Sequence, residues 1–143
     1  MKSLQASHEN MRAWVVFSGE SDLRLLKILK PGFRHCFVLL NDGQCWLSVD
    51  PMAHNTEIVV HHLSADFDLP RWLEKRGHVV VPAYIDAKKT RPAPFGVFSC
   101  VEAVKRVLGV HALFIFTPWQ LYCHLTKPSN TKEIIHGKSN LAA

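Results

Sequence analysis

Cys100 occupies the position in this chain where a nucleophilic sulfur would be expected. It lies in the stretch Phe98-Ser99-Cys100-Val101-Glu102, in which Ser99 and Glu102 have the S-x-x-E spacing of a helix capping box. Ser99 is then the N-cap and Cys100 the first helical residue. Its backbone N–H has no intrahelical acceptor, and its sulfur sits in the positive field that favours a thiolate. Lys105 and Arg106 fall in the last turn, where they complement the helix dipole, and Gly109 stands where a left-handed residue closes a helix. A thiolate nucleophile also needs a base within hydrogen-bond reach, and the base needs a group that orients its ring.

A supersecondary signal upstream supplies both. Arg34–Leu40 and Gln44–Asp50 alternate as strands around Asn41-Asp42-Gly43, a strong hairpin turn. With Asp42 and Gly43 as the two central residues, Asn41 pairs with Gln44 and His35 lies directly opposite Asp50 on the same face. A one-residue slip would separate the two, so the pairing depends on the turn type. The expected roles are Cys100 as nucleophile, His35 as base and then acid, and Asp50 as the group fixing the histidine tautomer. The N–H of Cys100 would contribute to an oxyanion hole. Cys100, Ala103, Val104 and Val107 follow i, i+3, i+4, i+7, which turns the sulfur toward the face that packs on a sheet. A cysteine that is only a small core hydrophobe would satisfy the same pattern.

The remaining elements follow in order. Arg12–Phe17 is a strand. Asp22 can cap a helix over Leu23–Lys30 whose apolar stripe is Leu25, Leu26, Ile28 and Leu29, ended by Pro31-Gly32. Glu57–Leu63 is a further strand. Asp68 and Pro70 open a short helix with Trp72 and Leu73 inward and Gly77 closing it. His78–Tyr84 is another strand, in which Pro82 points to an edge or a bulge. Val110–Phe116 is an apolar strand or buried extended segment. Thr117, Pro118 and Gln120 form a second capping signature for a helix running to about Leu125, before Pro128. The expected architecture is α+β, a mostly antiparallel sheet packed with helices, in one domain over residues 1–128 with a flexible tail over 129–143.

The 143 residues, 48% hydrophobic and 20% charged, match an ordinary globular domain that needs neither disulfides nor metal. The four cysteines, Cys36, Cys45, Cys100 and Cys123, contain no C-x-x-C pair, so reduced thiols and a cytoplasmic setting are expected. The polar leader Met1–Asn10 lacks the apolar region of a signal peptide, and no apolar run reaches the ~20 residues of a membrane span. Nine histidines invite a metal reading, but His61 and His62 are adjacent on a strand and point to opposite faces, as do His35 and Cys36. No H-x-x-x-H or C-x-x-C motif occurs, so no metal or cofactor is expected. The net charge of +5 comes from basic residues spread along the chain. It permits an anionic partner such as a cell-wall polymer. Trp72 with Arg71, Lys75 and Arg76, and the group Lys88, Lys89 and Arg91, lack a nucleic-acid-binding motif around them.

The order of a histidine strand, a hairpin, further strands and then a helix starting at cysteine resembles the circularly permuted members of the NlpC-type papain-like superfamily. The segments that carry the resemblance are Arg34–Leu40 (RHCFVLL) and Phe98–Val104 (FSCVEAV), within residues 32–108, about half the chain. The resemblance implies a permuted papain-like fold, with Cys100 as nucleophile and His35 as base. It also implies a cysteine hydrolase or acyltransferase acting through an acyl-thioester on a peptide, amide or ester. Cell-wall peptide is the leading substrate class, and a phage particle or lysis is a means of reaching it without a signal peptide. The third polar group varies among such proteins, so Asp50 is the least anchored of the three. The competing readings are a papain-like fold without activity that serves as a binding or assembly module, and a basic nucleic-acid-binding domain.

Overall fold

The computed structural model describes residues 11–20, 27–86 and 98–128. Five strands form one sheet in the order β4-β3-β2-β1-β5: β1 (Arg12–Ser18), β2 (His35–Asn41), β3 (Trp46–Pro51), β4 (Thr56–His61) and β5 (Val79–Ala83). Every pairing is antiparallel. Three helices accompany it: α1 (Leu69–Glu74), α2 (Cys100–Leu108) and α3 (Pro118–Leu125). The class is α+β, with β1 and β2 central and β4 and β5 at the edges.

The alternation of side chains along the central strands splits the core into two layers. Val15 and Phe17 of β1 join Cys36 and Val38 of β2 and Val81 of β5 on one face, where Val101, Val104 and Leu108 of α2 and Leu121 and Leu125 of α3 cover them. On the other face Val16, Leu39 and Trp46 meet Leu69 of α1, with Trp14, Phe37, Leu73 and Val80 packed around them. A sheet apolar on both faces in its middle requires cover on both, which explains the hydrophobic composition of β1 and β2.

The hairpin between β2 and β3 departs from the two-residue turn expected of Asn41-Asp42-Gly43. Asn41 pairs with Trp46, not Gln44, and Leu40 with Leu47. A type I′ turn requires positive φ at both central residues, and only Gly43, at φ 89°, adopts it. Asp42 instead turns its carboxylate onto the chain: Oδ1 accepts from the backbone N–H of Gln44 at 2.8 Å and of Cys45 at 2.9 Å. Those amides are thereby lost to the ladder, and the loop widens to four residues. Asn41, fully buried, pins the loop base. Its Oδ1 accepts from Gly43 N–H, and its amide donates to the carbonyl of Ala65 at 2.9 Å.

Other expectations change as well. The helix assigned to residues 23–30 lies largely outside the described residues. Residues 27–28, at its end, are in a 3₁₀ turn, and Ile28, placed on the apolar stripe, is 83% exposed. In α1 the buried residue is Leu69. Leu73 packs inward with it, one turn on, whereas Trp72, expected inward, is exposed with the Arg76 guanidinium 3.7 Å from its ring centroid. Residues 110–116 form neither a strand nor a buried segment. Phe114 is 81% exposed and Phe116 and Leu113 are also out in solvent, because α2 stops at Gly109 and the chain only crosses to the Thr117 cap. Pro82 does lie on an edge strand, opposite Trp14. The proposed tail at 129–143 lies outside the described residues. Among the described residues no helix is long and apolar enough to cross a membrane.

Candidate active site

Two structural termini meet at one end of the sheet. Cys100 is the first residue of α2, and His35 is the first residue of β2. Ser99 caps α2 as its spacing implies: its backbone is extended, and its Oγ accepts from Glu102 N–H at 3.2 Å. At the other end Gly109, at φ 71°, accepts the left-handed turn that lets Val110 N–H reach the Lys105 carbonyl at 2.8 Å. A side chain at Gly109 would also collide with the backbone of Asp86, a Cβ there lying 2.6 Å from its carbonyl oxygen. The two caps fix α2 against β2 and β3, with its Cys100 end beside the start of β2.

Asp50 is not directly opposite His35. With Leu39 opposite Ser48 and Val38 opposite Val49, the same ladder puts Asp50 beside Phe37. The register differs from the expected one by two residues, which preserves the face. His35 therefore reaches Asp50 along the diagonal, and the contact is close, with His35 Nε2 to Asp50 Oδ1 at 2.6 Å. An ionised carboxylate only accepts, so Nε2 carries the proton and donates it. That leaves Nδ1 as the ring nitrogen available to the sulfur of Cys100, whose hydrogen bond and charge both act on His35. The ring also lies along Phe37, its same-face neighbour, with centroids 6.4 Å apart.

Burial on its own would lower the His35 pKa. Hydrogen bonds to Asp50 and Cys100, with the charges of both, outweigh it and raise the imidazole to about 9. Cys100 shifts the other way, down to about 5. The largest cause is a hydrogen bond from the Cys36 thiol; burial opposes it, and the His35 hydrogen bond and charge and the Cys36 backbone N–H add to it. Between those two values Cys100 is a thiolate and His35 an imidazolium. Such a pair holds a nucleophile and a proton donor side by side.

Cys36 is the group that the sequence reading missed. It was set aside because it faces away from His35, which is true of its direction on the strand. Yet Cys36 faces the helix layer, and Cys100 packs against that same core cluster. Its thiol is fully buried and is pushed well up in pKa, first by its hydrogen bond to Cys100, then by burial and by the negative charges of Cys100 and Asp50. Alternation supplies half of the signal: once α2 is known to lie on the even-numbered side of β2, the residue facing Cys100 is position 36. Behind Cys36, its ladder partner Phe17 joins Phe33, Trp119 and Tyr122 in an aromatic cluster. Trp119 and Tyr122 thus pack against the core, and Gln120 caps α3.

Among the described residues no group of three or more His, Cys, Asp or Glu side chains is arranged to hold a metal ion. His61, whose neighbour His62 shares no face with it, donates to or accepts from Ser48 Oγ at 3.0 Å. No family model, curated protein or solved structure matches this chain.

Proposed function

We propose that this protein is a cysteine hydrolase of permuted papain-like type, with Cys100 as nucleophile, His35 as acid–base and Asp50 as the group orienting His35. The observation that carries the proposal is that His35 has both partners, Asp50 on Nε2 at 2.6 Å and the Cys100 sulfur acting on the same ring. In the reaction the Cys100 sulfur attacks an acyl carbon, and the developing oxyanion lies near the unpaired first-turn amide of Cys100. The His35 imidazolium then protonates the leaving amine or alkoxide, leaving an acyl-thioester on Cys100. Neutral His35 next takes a proton from water, which attacks the thioester and releases the acid, while the sulfur departs as thiolate. Asp50 holds the ring in one tautomer throughout. The resemblance of the His35 and Cys100 segments to NlpC-type sequences supports peptide or amide bonds as the substrate class, with cell-wall peptide the first to assay.

The test is trapping of the acyl-enzyme. Incubation with an activated ester should give a burst of leaving group and one acyl adduct, mapped to Cys100 by mass spectrometry. His35→Ala should slow adduct formation and Cys100→Ala should remove it. Acylation spread equally over Cys45 and Cys123 would overturn the proposal.

A further inference from the structure

Cys36 has a property that hydrolysis does not use: it is a buried thiol whose sulfur-bearing neighbour is a half-buried cysteine. It points from the centre of the sheet into the α2 layer, with no exposed surface. Cys100, at the edge of the same cluster, retains partial access to solvent. Oxidants in solution can therefore reach Cys100 but not Cys36, and Cys36 can react only with what lies against it. Cys100 packs against the core cluster in which Cys36 is buried, and the thiol and the N–H of Cys36 both act on the Cys100 sulfur. The other two cysteines are elsewhere, Cys45 in the β2–β3 loop against Asp42 and Cys123 on α3.

We infer that Cys36 and Cys100 form a thiol-oxidation site, in which Cys36 resolves a Cys100 sulfenic acid formed by hydrogen peroxide into a reversible intramolecular disulfide. The chemistry closes in two steps. The Cys100 thiolate attacks one peroxide oxygen and the O–O bond breaks; the sulfur loses two electrons, and the released hydroxide takes a proton to become water. The Cys36 sulfur then attacks the Cys100 sulfur and the S–O bond breaks. The departing hydroxide combines with the Cys36 proton as a second water. The net change is two thiols and one peroxide to one disulfide and two waters. The first step also removes part of what holds Cys36 back. The negative charge and hydrogen bond of Cys100 are among the causes that keep the Cys36 proton on, and a neutral sulfenic acid no longer supplies that charge. Reduction by a dithiol returns the thiolate, so a nucleophile that peroxide would otherwise carry irreversibly to sulfinic acid is protected.

This inference rests on the position of Cys100 and would place a redox control on the hydrolase site proposed above, but its test reads chemistry and not turnover. The full chain is exposed to a small excess of hydrogen peroxide, enough for the two successive oxidations that sulfinic acid requires, then quenched with iodoacetamide and mapped by mass spectrometry. The expected product is a peptide pair joined through Cys36 and Cys100, lighter by two hydrogens, with Cys45 and Cys123 alkylated and the link cleaved by dithiothreitol. In Cys36→Ser, Cys100 should instead appear as sulfinic acid that dithiothreitol does not restore. Wild-type protein that yields Cys100 sulfinic acid with Cys36 still alkylatable after denaturation would overturn the inference, whether or not the variant folds. A link that forms in a protein that never acylates would leave this site standing and sink the hydrolase proposal. Acylation without the link would do the reverse.

Discussion

Helices α2 and α3 begin with the same signature, Ser99-x-x-Glu102 and Thr117-x-x-Gln120, yet their first turns are finished differently. In α3 the box closes. Thr117 Oγ1 accepts from Gln120 N–H at 3.2 Å, and Gln120 Oε1 returns to the N–H groups of Thr117 at 3.0 Å and Phe116 at 2.9 Å. In α2 only the Ser99 half forms. The Glu102 carboxylate turns along the helix, accepting from Lys105 Nζ at 2.9 Å and from Arg106 Nε at 3.0 Å. The reason is burial. Lys105 and Glu102 lie against the sheet, and a buried ammonium has to be matched by a carboxylate. The α3 cap is exposed and faces no such demand. One signature thus yields a terminus closed by both side chains and another closed by the N-cap serine alone.

The largest consequence of that difference concerns the cysteines on the two helices. Cys100→Ala should abolish acyl-enzyme formation, with a fall in acylation rate on the order of 10⁴-fold, the scale seen when one member of a catalytic triad is disabled. Cys123→Ala, one residue type on the closed helix, should leave the rate unchanged. Stopped-flow measurement of the burst compares the two. Equal losses would erase any functional distinction between α2 and α3.

Glu102→Ala and Gln120→Ala probe the diverted and the closed carboxyl-side groups. Removing Glu102 leaves the Lys105 ammonium buried without a counter-charge, and the expected loss is about 3 kcal/mol. Removing Gln120 costs an exposed cap and should fall near 1 kcal/mol. Urea unfolding measures both. Burial would raise the Glu102 pKa, but the hydrogen bond and charge of Lys105, then those of Arg106, lower it on balance. Because the folded value is the depressed one, this stabilisation is fully present above the unfolded pKa of about 4.3 and is lost as pH falls through the folded value. The wild type should therefore lose stability on acidification more steeply than Glu102→Ala.

Alkylation by iodoacetamide gives a smaller but sharper contrast. With Cys100 titrating at about 5, its thiolate fraction at pH 5.5 exceeds that of a free thiol with pKa ~8.5 by roughly 10³. A less basic thiolate is also less nucleophilic; with a Brønsted slope near 0.45, about 1.6 decades of that gain is lost. The expected advantage is about twentyfold at pH 5.5, and it shrinks as pH rises. The rate should climb through about 5, level off, and change again near 9, where the imidazolium of His35 gives up its proton. In stability the two shifts have opposite windows. The His35 contribution is complete below about 6.5 and lost as pH rises through 9; the Cys100 contribution is complete above about 8.5 and lost as pH falls through 5.

Much of this was legible in the sequence, and the parts that were not have identifiable causes. The limits of β1, β2, α2 and α3 follow from β-branched runs and caps, which are local signals. The face shared by His35 and Asp50 survived an incorrect turn because a two-residue shift conserves pleat parity. The turn itself was misjudged because Asn41-Asp42-Gly43 suits both a two-residue I′ loop and a four-residue loop, and the choice rests on where the Asp42 carboxylate goes. Phe114 and Phe116 looked buried because hydropathy carries no information about what covers a segment. Cys36 was overlooked because its role depends on which side of β2 receives α2, a tertiary fact with no local trace.

The smallest effect bears on why Cys100 is acidic. Its position at a helix N-terminus points to the dipole, while the Cys36 thiol first, then His35 and the Cys36 amide, lower the thiol against the opposing effect of burial. Ser99→Ala and Thr117→Ala separate the two accounts. Each removes an N-cap oxygen, and each should cost about 1 kcal/mol in unfolding free energy. If neighbouring groups hold the thiolate, Ser99→Ala frays the first turn slightly and leaves the alkylation midpoint near 5, whereas His35→Ala raises it by more than one pH unit. A Ser99→Ala midpoint that rises as far as the His35→Ala one would return the explanation to the helix end. In that case the unclosed cap of α2, rather than the thiol and imidazole beside it, would be what distinguishes this terminus from that of α3.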